Sequence, residues 1–397
     1  MQVAAESAIL MNADTGVILY QKKPREKLYP ASITKVATCL YVLQRVGDKL
    51  DVVLAADQEC IGSVTEEAKI RSGYKLPSHW LVTDCSHIGI KKGEKLKVED
   101  LLYGMMVASG DDASNMLAQY VGGTIPNFMT ELNAYLKSLG CQDSNFNNPH
   151  GLHHPEQVTT ALDMAIMTRE ALKNDLFKKI VSTVKYVKPK TNIQEATPLI
   201  QTNRLLRKGD SYYAKAIGVK TGWHSKAGST LVAAAKDGDR TLIAVLLNVK
   251  DRKLLFTEAT RMFEAAFKQP KMQKVIVQAG PQKFAAMAPK SQTQIRTYVE
   301  KDFNIAFYPA EEPKLKAFID WKEIHPPVKR GDAVGNLLLK TENGALYAQV
   351  ALLADEDYDE GIISYIRDSF GKNSLVFSLG ILLAALAGFY VLYRFIR

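Results

Sequence analysis

Short apolar runs separated by turn residues open the chain and predict a β-hairpin. Ser7–Asn12 and Val17–Tyr20 flank Ala13–Gly16, whose Asp and Gly favour a turn. After Pro30 the spacing of apolar residues changes to that of a helix. The apolar stripe of this helix comprises Val36, Leu40 and Leu43.

The same two patterns recur further along the chain. Helices are predicted over Leu101–Tyr120 and Asp163–Leu172, and a second hairpin within Gly228–Asn248. The next helix has one apolar face and ends at Gln269–Pro270, a helix breaker. That face comprises Ala259, Met262, Phe263, Ala266 and Phe267. Residues 55–100 have a mixed pattern, which predicts mostly loop.

The pattern after Pro270 is typical of a small all-β domain. Four runs have the character of strands, and Asn343–Gly344 indicates a type I′ hairpin turn. The runs are Lys274–Val277, Phe303–Tyr308, Ala333–Leu339 and Ala345–Leu353. We therefore divide the chain into a first domain over 1–269 and a β-rich domain over 270–360.

A long apolar stretch lies near the end of the chain, over residues 374–393. Its twenty residues carry no charge, and about twenty residues span the hydrocarbon core of a bilayer. Arg394 and Arg397 follow, and basic residues mark the cytoplasmic side. We predict a juxtamembrane linker over 361–373, one transmembrane helix over 374–393, and residues 1–373 outside the cytoplasm. A buried core helix is the alternative.

Export of the long N-terminal part requires a signal sequence. Residues 1–20 lack the basic region and the apolar region of such a signal. We therefore expect the sequence to be that of a mature chain.

Composition and charge narrow the class of protein. The chain has 397 residues, of which 47% are hydrophobic and 23% charged, and this balance excludes intrinsic disorder. Four cysteines are too few for a disulfide-stabilised scaffold. The net charge of +9 favours anionic partners such as an acidic polymer or a lipid surface. Because no nucleic-acid-binding motif accompanies this charge, we predict no nucleic-acid partner.

The first candidate for chemistry is Ser32-Ile33-Thr34-Lys35, at the start of the first predicted helix. Ser32 and Lys35 are three residues apart and share one helix face. A neutral lysine amine can take the proton of a serine hydroxyl and so turn it into a nucleophile. Backbone amides at a helix N-terminus can also stabilise a developing oxyanion. Taken alone, this tetrapeptide is common in long chains.

Two further triplets have the residue types of an active site. Ser109–Asp111 follows an apolar helical run, and Lys220–Gly222 follows the predicted strand Ala216–Val219. A lysine and a threonine at a strand edge can hold a substrate carboxylate. Gly222 would let a substrate backbone approach closely, because glycine has no side chain.

The order of these three motifs resembles that of penicillin-binding proteins and class A β-lactamases, which carry S-x-x-K, S-D-N and K-T-G. Further segments narrow the resemblance to low-molecular-mass penicillin-binding proteins of the D-alanyl-D-alanine carboxypeptidase type. They are Tyr29–Ser32, Pro149–Leu152, Asn203–Leu206, Ala227–Ser229 and Pro327–Gly331. The resemblance implies an α/β fold: a transpeptidase-like antiparallel sheet flanked by helices, an inserted helical cluster that carries Ser109, and a β-rich C-terminal module.

The resemblance also implies catalytic roles. Ser32 is expected to be the acylated nucleophile, Lys35 the base that deprotonates it, and Ser109 a relay of the proton to the leaving amine. The implied substrate is a peptidoglycan stem peptide that ends in D-Ala-D-Ala. β-Lactam antibiotics are implied as ligands because they mimic that terminus.

Substrate binding is assigned by the same resemblance. Lys220 is expected to support the site electrostatically, and Thr221, next to Gly222, to bind the terminal carboxylate of the substrate. The backbone N–H groups of Ser32 and Trp223 are expected to form the oxyanion hole. The implied reaction needs no cofactor and no metal.

Asp111 departs from the family motif, which usually has Asn at this position. An Asn amide can donate a hydrogen bond to a substrate carbonyl, whereas an ionised Asp only accepts. A carboxylate close to Lys35 would also favour the charged lysine and oppose its role as a base, unless Lys220 pairs with the carboxylate instead. We therefore expect activity with a shifted pH optimum or a narrower choice of substrate.

Two clusters allow other interpretations. His150, His153 and His154 suggest a metal site, but such sites need three or four converging ligands, and we expect the adjacent His153 and His154 to be surface residues instead. Cys60 and Cys85 either form a disulfide outside the cytoplasm or remain thiols.

The sequence as a whole predicts a membrane-anchored serine D-alanyl-D-alanine carboxypeptidase on the outer, periplasmic side of a bacterial cytoplasmic membrane. One alternative is a D,D-endopeptidase with the same residues. A β-lactamase is another, although it needs a second base and Glu131–Asn133 lacks the usual spacing for one. A third is a non-catalytic envelope-binding protein in which Asp111 marks loss of the site.

Overall fold

The computed structural model describes residues 2–288 and 293–359. The chain divides into two compact units, one over Met1–Gln269 and one that begins at Pro270. The predicted linker over 361–373 and the predicted transmembrane helix over 374–393 lie outside the described residues. Within the described part, no helix has the length and apolar character that crossing a bilayer requires.

Antiparallel strands form the centre of the first unit. Its strands are β1 (Ser7–Asn12), β2 (Ile18–Lys22), β3 (Val53–Ala55), β4 (Ser63–Val64), β5 (Leu81–Val82), β6 (Lys95–Lys97), β7 (Lys185–Lys188), β8 (Thr197–Ile200), β9 (Ala216–His224), β10 (Gly228–Asp237) and β11 (Arg240–Val249). The main sheet has the order β2-β1-β11-β10-β9, which leaves β9 at an edge. The remaining strands form two-stranded sheets that pair β3 with β6, β4 with β5, and β7 with β8.

Helices pack around this sheet. They are α1 (Thr34–Val46), α2 (Gln58–Ile61), α3 (Glu66–Arg71), α4 (Val98–Val107), α5 (Asp111–Gly122), α6 (Ile125–Ser138), α7 (Ala161–Ala171), α8 (Asp175–Ser182) and α9 (Arg252–Phe267). Several of them begin with a side chain that accepts a hydrogen bond from a backbone amide of the first turn. These capping residues are Asp57, Thr65, Thr124, Thr160, Asn174 and Asp251.

The two faces of the main sheet contribute to two different hydrophobic cores. In β1, Ile9 and Met11 belong to the core that contains the buried residues of α1 and α4–α8. Ala8 and Leu10 alternate with them and belong to the core that contains α9. Because successive side chains of a strand point to opposite faces, this alternation accounts for the burial of every residue of β1. The predicted antiparallel sheet flanked by helices is confirmed.

The predicted helix over Leu101–Tyr120 is wrong in one respect, because the structure has two helices with a turn between them. α4 ends at Val107, and Ser109 has a left-handed backbone with φ of 64°. A carboxylate then stabilises the turn, since Asp112 accepts hydrogen bonds from the amides of Ile88 and Ile90. The break brings Asp111 to the start of α5.

Residues 55–100 also contain α2, α3 and short strands where mostly loop was predicted.

The second unit is a β-rich domain. Its strands are β12 (Met272–Val277), β13 (Gly280–Met287), β14 (Gln294–Val299), β15 (Phe303–Phe307), β16 (Leu315–Trp321), β17 (Ala333–Thr341) and β18 (Leu346–Ala354). β12 pairs with β15, and the others form a sheet in the order β13-β14-β18-β17-β16. The four predicted strands are present, whereas β13, β14 and β16 were missed. β16 lies at a sheet edge and most of its side chains are exposed, so it lacks a clear two-residue alternation.

Phe263 offers a test of the core under α9. It is fully buried, and its ring stacks on Tyr213 with 6.0 Å between the ring centroids. Phe263→Ala is expected to lower the free energy of unfolding by about 3–5 kcal/mol, because it removes buried apolar surface and leaves a cavity. Urea denaturation measures this change. Lys253→Ala, at an exposed position of the same helix, is the control, and equal losses in both variants would contradict this description of the core.

Candidate active site

Ser32 lies in a single 3-10 turn, Ala31–Ile33, which leads directly into α1. Two hydroxyls hold this turn, since Thr34 Oγ1 donates to the carbonyl of Ala31 at 2.9 Å and Thr230 Oγ1 donates to that of Pro30 at 2.9 Å. The turn is therefore fixed both to α1 and to β10 of the main sheet. It presents the Ser32 hydroxyl at the first turn of the helix.

Lys35 connects the serine to two other parts of the chain. Its Nζ atom lies 3.0 Å from Ser32 Oγ, 2.6 Å from Asp111 Oδ1 and 2.7 Å from the carbonyl oxygen of His150. The side chain is fully buried. An ammonium group has three hydrogens to donate, so these contacts match the charged form of lysine.

Asp111 stands directly beside Lys35, and 2% of its surface is exposed. Burial raises the pKa of the Asp111 carboxyl, while the Lys35 ammonium opposes that rise. A hydrogen bond from the Cys85 thiol also favours the carboxylate, and the nearby charge of Asp112 disfavours it. Asp111, which replaces the usual Asn of the family motif, is therefore in direct contact with Lys35.

Ser109 lies in the turn between α4 and α5, two residues before Asp111. It is 5% exposed. Within the described residues, no hydrogen bond joins it to Ser32 or Lys35. The structure thus joins Ser32 and Asp111 through Lys35 and leaves Ser109 in the adjoining turn.

Lys220 and Thr221 lie on the edge strand β9. Lys220 is fully buried, and its Nζ donates to the carbonyl of Thr221 at 2.9 Å. Burial lowers the pKa of Lys220 well below its usual range, the charge of Lys35 acts in the same direction, and that of Asp111 opposes it. Lys220 forms no ion pair with Asp111 in the described structure. Thr221 Oγ1 donates to the hydroxyl of Thr202 at 2.9 Å.

Two glycines let the backbone approach the nucleophile turn from different segments. A Cβ on Gly222 would lie 2.8 Å from the amide nitrogen of Ser32, so β9 runs directly against that amide. Gly151 has φ of 101°, and a Cβ there would lie 2.0 Å from the carbonyl oxygen of Ala31. The sequence predicted that Gly222 lets a substrate backbone approach, and the structure shows that the chain's own Ser32 amide lies against it. The contact of Gly151 was not, because only the tertiary fold brings it to Ala31.

A cleft of about 310 Å³ opens above the nucleophile. Ser32 and Asp111 are among the residues that line it. One group of lining residues is aromatic and comprises Tyr74, His153, Trp223 and His224. Another is mostly polar and comprises Glu66, Lys69, Asp84, Cys85 and Ser86. Sequence reasoning missed the polar group, because it falls within the segment predicted as loop.

His150 lies in the interior of the first unit. Its side chain is fully buried, with Nε2 at 3.1 Å from the carbonyl oxygen of His79, and burial lowers its pKa well below the usual range. His153 is half-buried and packs edge-on against Tyr29, with 4.6 Å between the ring centroids.

No group of three or more His, Cys, Asp or Glu residues that could hold a metal is found in the described parts of the chain.

Cys60 and Cys85 do not form the disulfide that the sequence left open. Both are free thiols in the structure, as are Cys39 and Cys141. Cys60 Sγ donates to the side-chain carbonyl of Gln119, whereas Cys85 lies at the cleft beside Asp111. The two sulfur atoms therefore have separate environments.

Comparison with known proteins identifies relatives over most of the chain. The family described as D-alanyl-D-alanine carboxypeptidase matches residues 1–251. The D-alanyl-D-alanine carboxypeptidase DacF of Bacillus subtilis is 31% identical over 379 residues, which cover 92% of this chain and 89% of the relative. DacC of Escherichia coli is 32% identical over 269 residues, which cover 67% of this chain and 62% of the relative.

Solved structures agree with the sequence relatives. Penicillin-binding protein 5 of Haemophilus influenzae aligns with a TM-score of 0.58 at 25% identity, over 91% of this chain and 99% of that one. The DD-transpeptidase of Streptomyces K15 aligns with a TM-score of 0.58 at 27% identity, over 67% of this chain and 98% of that one. The chain therefore belongs to the D-alanyl-D-alanine carboxypeptidases, a family of serine hydrolases.

Proposed function

We propose that this chain removes the terminal D-alanine from peptidoglycan stem peptides through an ester formed on Ser32. The observation that carries the proposal is the contact between Lys35 Nζ and Ser32 Oγ at 3.0 Å, in a cleft open to a ligand. A general base within hydrogen-bond reach of a hydroxyl is the geometry that nucleophilic catalysis requires.

Acylation starts when the neutral amine of Lys35 takes the proton of Ser32. The oxygen attacks the carbonyl carbon between the two D-alanines, and a tetrahedral intermediate forms. Its C–N bond then breaks, the leaving amine takes the proton held by Lys35 by way of Ser109, and D-alanine departs. Water hydrolyses the remaining ester and regenerates Ser32.

The oxyanion of the intermediate is expected to bind to the backbone amides of Ser32 and Trp223. The close approach of β9 to the Ser32 amide at Gly222 supports this role, because it brings the strand that carries Trp223 next to the nucleophile. Loss of one such donor typically lowers kcat by about 10²–10³-fold.

The edge position of β9 supports a mode of substrate binding. An edge strand has unpaired backbone groups, and an extended peptide can pair with them. A stem peptide bound in this way would run along the strand that carries Lys220, Thr221 and Gly222. The Thr221 hydroxyl would then hold the terminal carboxylate, and the nearby amine of Lys220 would support it.

β-Lactam antibiotics would acylate the same serine, since they mimic the D-alanyl-D-alanine terminus.

A β-lactamase function has less support than the carboxypeptidase function. A β-lactamase needs a second base, and the residue considered for it from the sequence was Glu131, on helix α6. The Glu131 carboxylate accepts hydrogen bonds from Tyr41 and Asn127, and the residue does not line the cleft.

Membrane anchoring through residues 374–393, with the catalytic unit on the periplasmic side, is a further part of the proposal. Its support is the uncharged apolar stretch and the two arginines that follow it. The β-rich domain, which precedes this stretch in the chain, would then act as a spacer between the catalytic unit and the bilayer.

Ser32→Ala is expected to abolish release of D-alanine, because it removes the atom that forms the ester. The measurement is D-alanine produced from a stem pentapeptide that ends in D-Ala-D-Ala. Ser225→Ala, at another serine that lines the cleft, is the control and is expected to retain activity. Residual hydrolysis by Ser32→Ala at the wild-type rate would exclude Ser32 as the nucleophile.

Asp111→Asn is expected to move the acid limb of the pH–rate profile for acylation to lower pH. The carboxylate at 2.6 Å favours the ammonium form of Lys35. Its removal makes the neutral amine available in more acidic solution. The profile is measured with a chromogenic cephalosporin, and Asp84→Asn serves as the control because it removes another carboxylate of the cleft. Superimposable profiles for wild type and Asp111→Asn would contradict this role of Asp111.

The full chain is expected to bind phospholipid vesicles, and a chain that ends at residue 359 is expected to stay in solution. Flotation of the vesicles through a density gradient measures this difference. Leu383→Arg is the matched control, because one charge near the middle of the stretch makes insertion costly by about 2.5–3.5 kcal/mol. Flotation of the truncated chain with the vesicles would contradict an anchor at 374–393.

A further inference from the structure

Lys69 is a buried cation in the wall of the active-site cleft. It lies on α3, 5% of its surface is exposed, and it lines the cleft together with Ser32 and Asp111. Its Nζ donates to the backbone carbonyls of Ser78, at 3.4 Å, and of Trp80. Lysine is almost never fully buried without a paired charge. Within the described structure, however, no carboxylate lies within ion-pair distance of Lys69.

Several titratable groups surround this ammonium. They are Glu66 on its own helix, Cys85 and Asp111 at the cleft, and His79 and His150, whose protonated forms it disfavours. Burial lowers the pKa of Lys69 to about 8, and the charges of Cys85, Asp111 and Glu66 oppose that change. Burial also raises the pKa of Cys85 to about 12, so its thiol keeps its proton at neutral pH. Asp111 is therefore the buried carboxylate that lines the cleft together with Lys69, and its charge favours the protonated form of Lys69.

Asp111 creates a charge problem for the proposed reaction. Lys35 must be a neutral amine to accept the proton of Ser32, but its ammonium is the direct partner of Asp111 at 2.6 Å. Once Lys35 is neutral, the buried carboxylate is left without a counter-charge, which is strongly unfavourable. Lys220 is a poorer replacement, because burial lowers its pKa well below the usual range, whereas burial lowers the pKa of Lys69 only to about 8.

We infer that Lys69 supplies the positive charge that compensates Asp111 while Lys35 acts as a neutral base, which makes Lys69 a positioning residue for the reaction. The inference rests on the proposed acyl-enzyme function. Before substrate reacts, the Lys35 ammonium releases one proton to solvent, while Asp111 stays ionised and Lys69 stays protonated. The Ser32 proton then passes to the Lys35 amine as the new C–O bond forms.

Lys69→Met is expected to shift the acid limb of the acylation profile upward by about one pH unit, because a cation that favours the neutral amine of Lys35 is lost. At a pH below the limb, acylation slows about tenfold as a result. Lys69→Arg keeps the charge and is expected to keep the wild-type limb. Lys92→Met, at an exposed position in the same part of the chain, is the matched control. Acylation is measured with a chromogenic cephalosporin from pH 5 to 9.

The Asp111→Asn background separates this role from a purely structural one. Without the carboxylate there is no buried negative charge to compensate, so adding Lys69→Met is expected to move the limb by much less than it does in the wild type. A structural role would instead lower the rate by the same factor at every pH and in both backgrounds, and that result would overturn the inference. Lys69→Gln, which keeps a hydrogen-bond donor without the charge, replaces Lys69→Met if thermal unfolding shows that the latter does not fold.

The same assay keeps the two proposals apart. Cephalosporin acylation of the wild type that Ser32→Ala abolishes supports the proposed function whatever the Lys69 variants do. An unmoved acid limb in Lys69→Met then overturns only the role of Lys69. A wild type that forms no ester at Ser32 overturns the proposed function, and the inference fails with it.

Discussion

The buried contacts of the Lys35 ammonium are the interaction on which the site depends. One nitrogen atom joins the Ser32 hydroxyl, the Asp111 carboxylate and the carbonyl of His150. These three groups come from the nucleophile turn, the start of α5 and a loop that precedes α7. A charged lysine in an apolar interior requires partners for all its hydrogens. The contacts therefore stabilise the relative arrangement of these segments as well as the orientation of the nucleophile.

The fold provides a rigid support for that arrangement. β9 approaches the Ser32 amide because position 222 is a glycine, and the loop at Gly151 packs against the preceding carbonyl for the same reason. The break between α4 and α5 brings Asp111 to a helix start beside Lys35. The site is thus assembled from elements that are distant in sequence but packed on the same sheet. Preorganisation of this kind accounts for much of the catalytic effect of polar groups in enzymes.

The same arrangement explains how a carboxylate can occupy a position where the family motif usually has an amide. The Asp111 carboxylate lies 2.6 Å from Lys35 Nζ and favours the ammonium form of that lysine, which cannot act as a general base. A second cation that remains charged when Lys35 loses its proton would compensate the Asp111 carboxylate. Lys69 can do so because it lines the same cleft. The charges of Asp111 and Lys69 are therefore best understood together, because the inferred role of Lys69 is to compensate the departure at Asp111.

Local pattern and motif order predicted the main sheet, the flanking helices and the contact of Lys35 with Ser32. This worked because β1 and β10–β11 combine apolar runs with strong turn signals, and because the motif residues carry the chemistry themselves. The break at Ser109 was missed because the helical apolar pattern continues across it. The polar residues that line the cleft, Lys69 among them, were missed because α3 is short. A helix of this length has too few residues to show a periodic pattern. The buried state of His150 depends on contacts with Lys35 and His79 that no local pattern records.

The central claim is that a ligand carbonyl forms an ester with Ser32, activated by Lys35. Mass spectrometry of the protein after brief exposure to penicillin tests it most directly, with proteolysis to locate the adduct. The account predicts a mass increase of one penicillin per chain, confined to the peptide that contains Ser32. An unmodified protein, or an adduct on a peptide from another part of the chain, would contradict it.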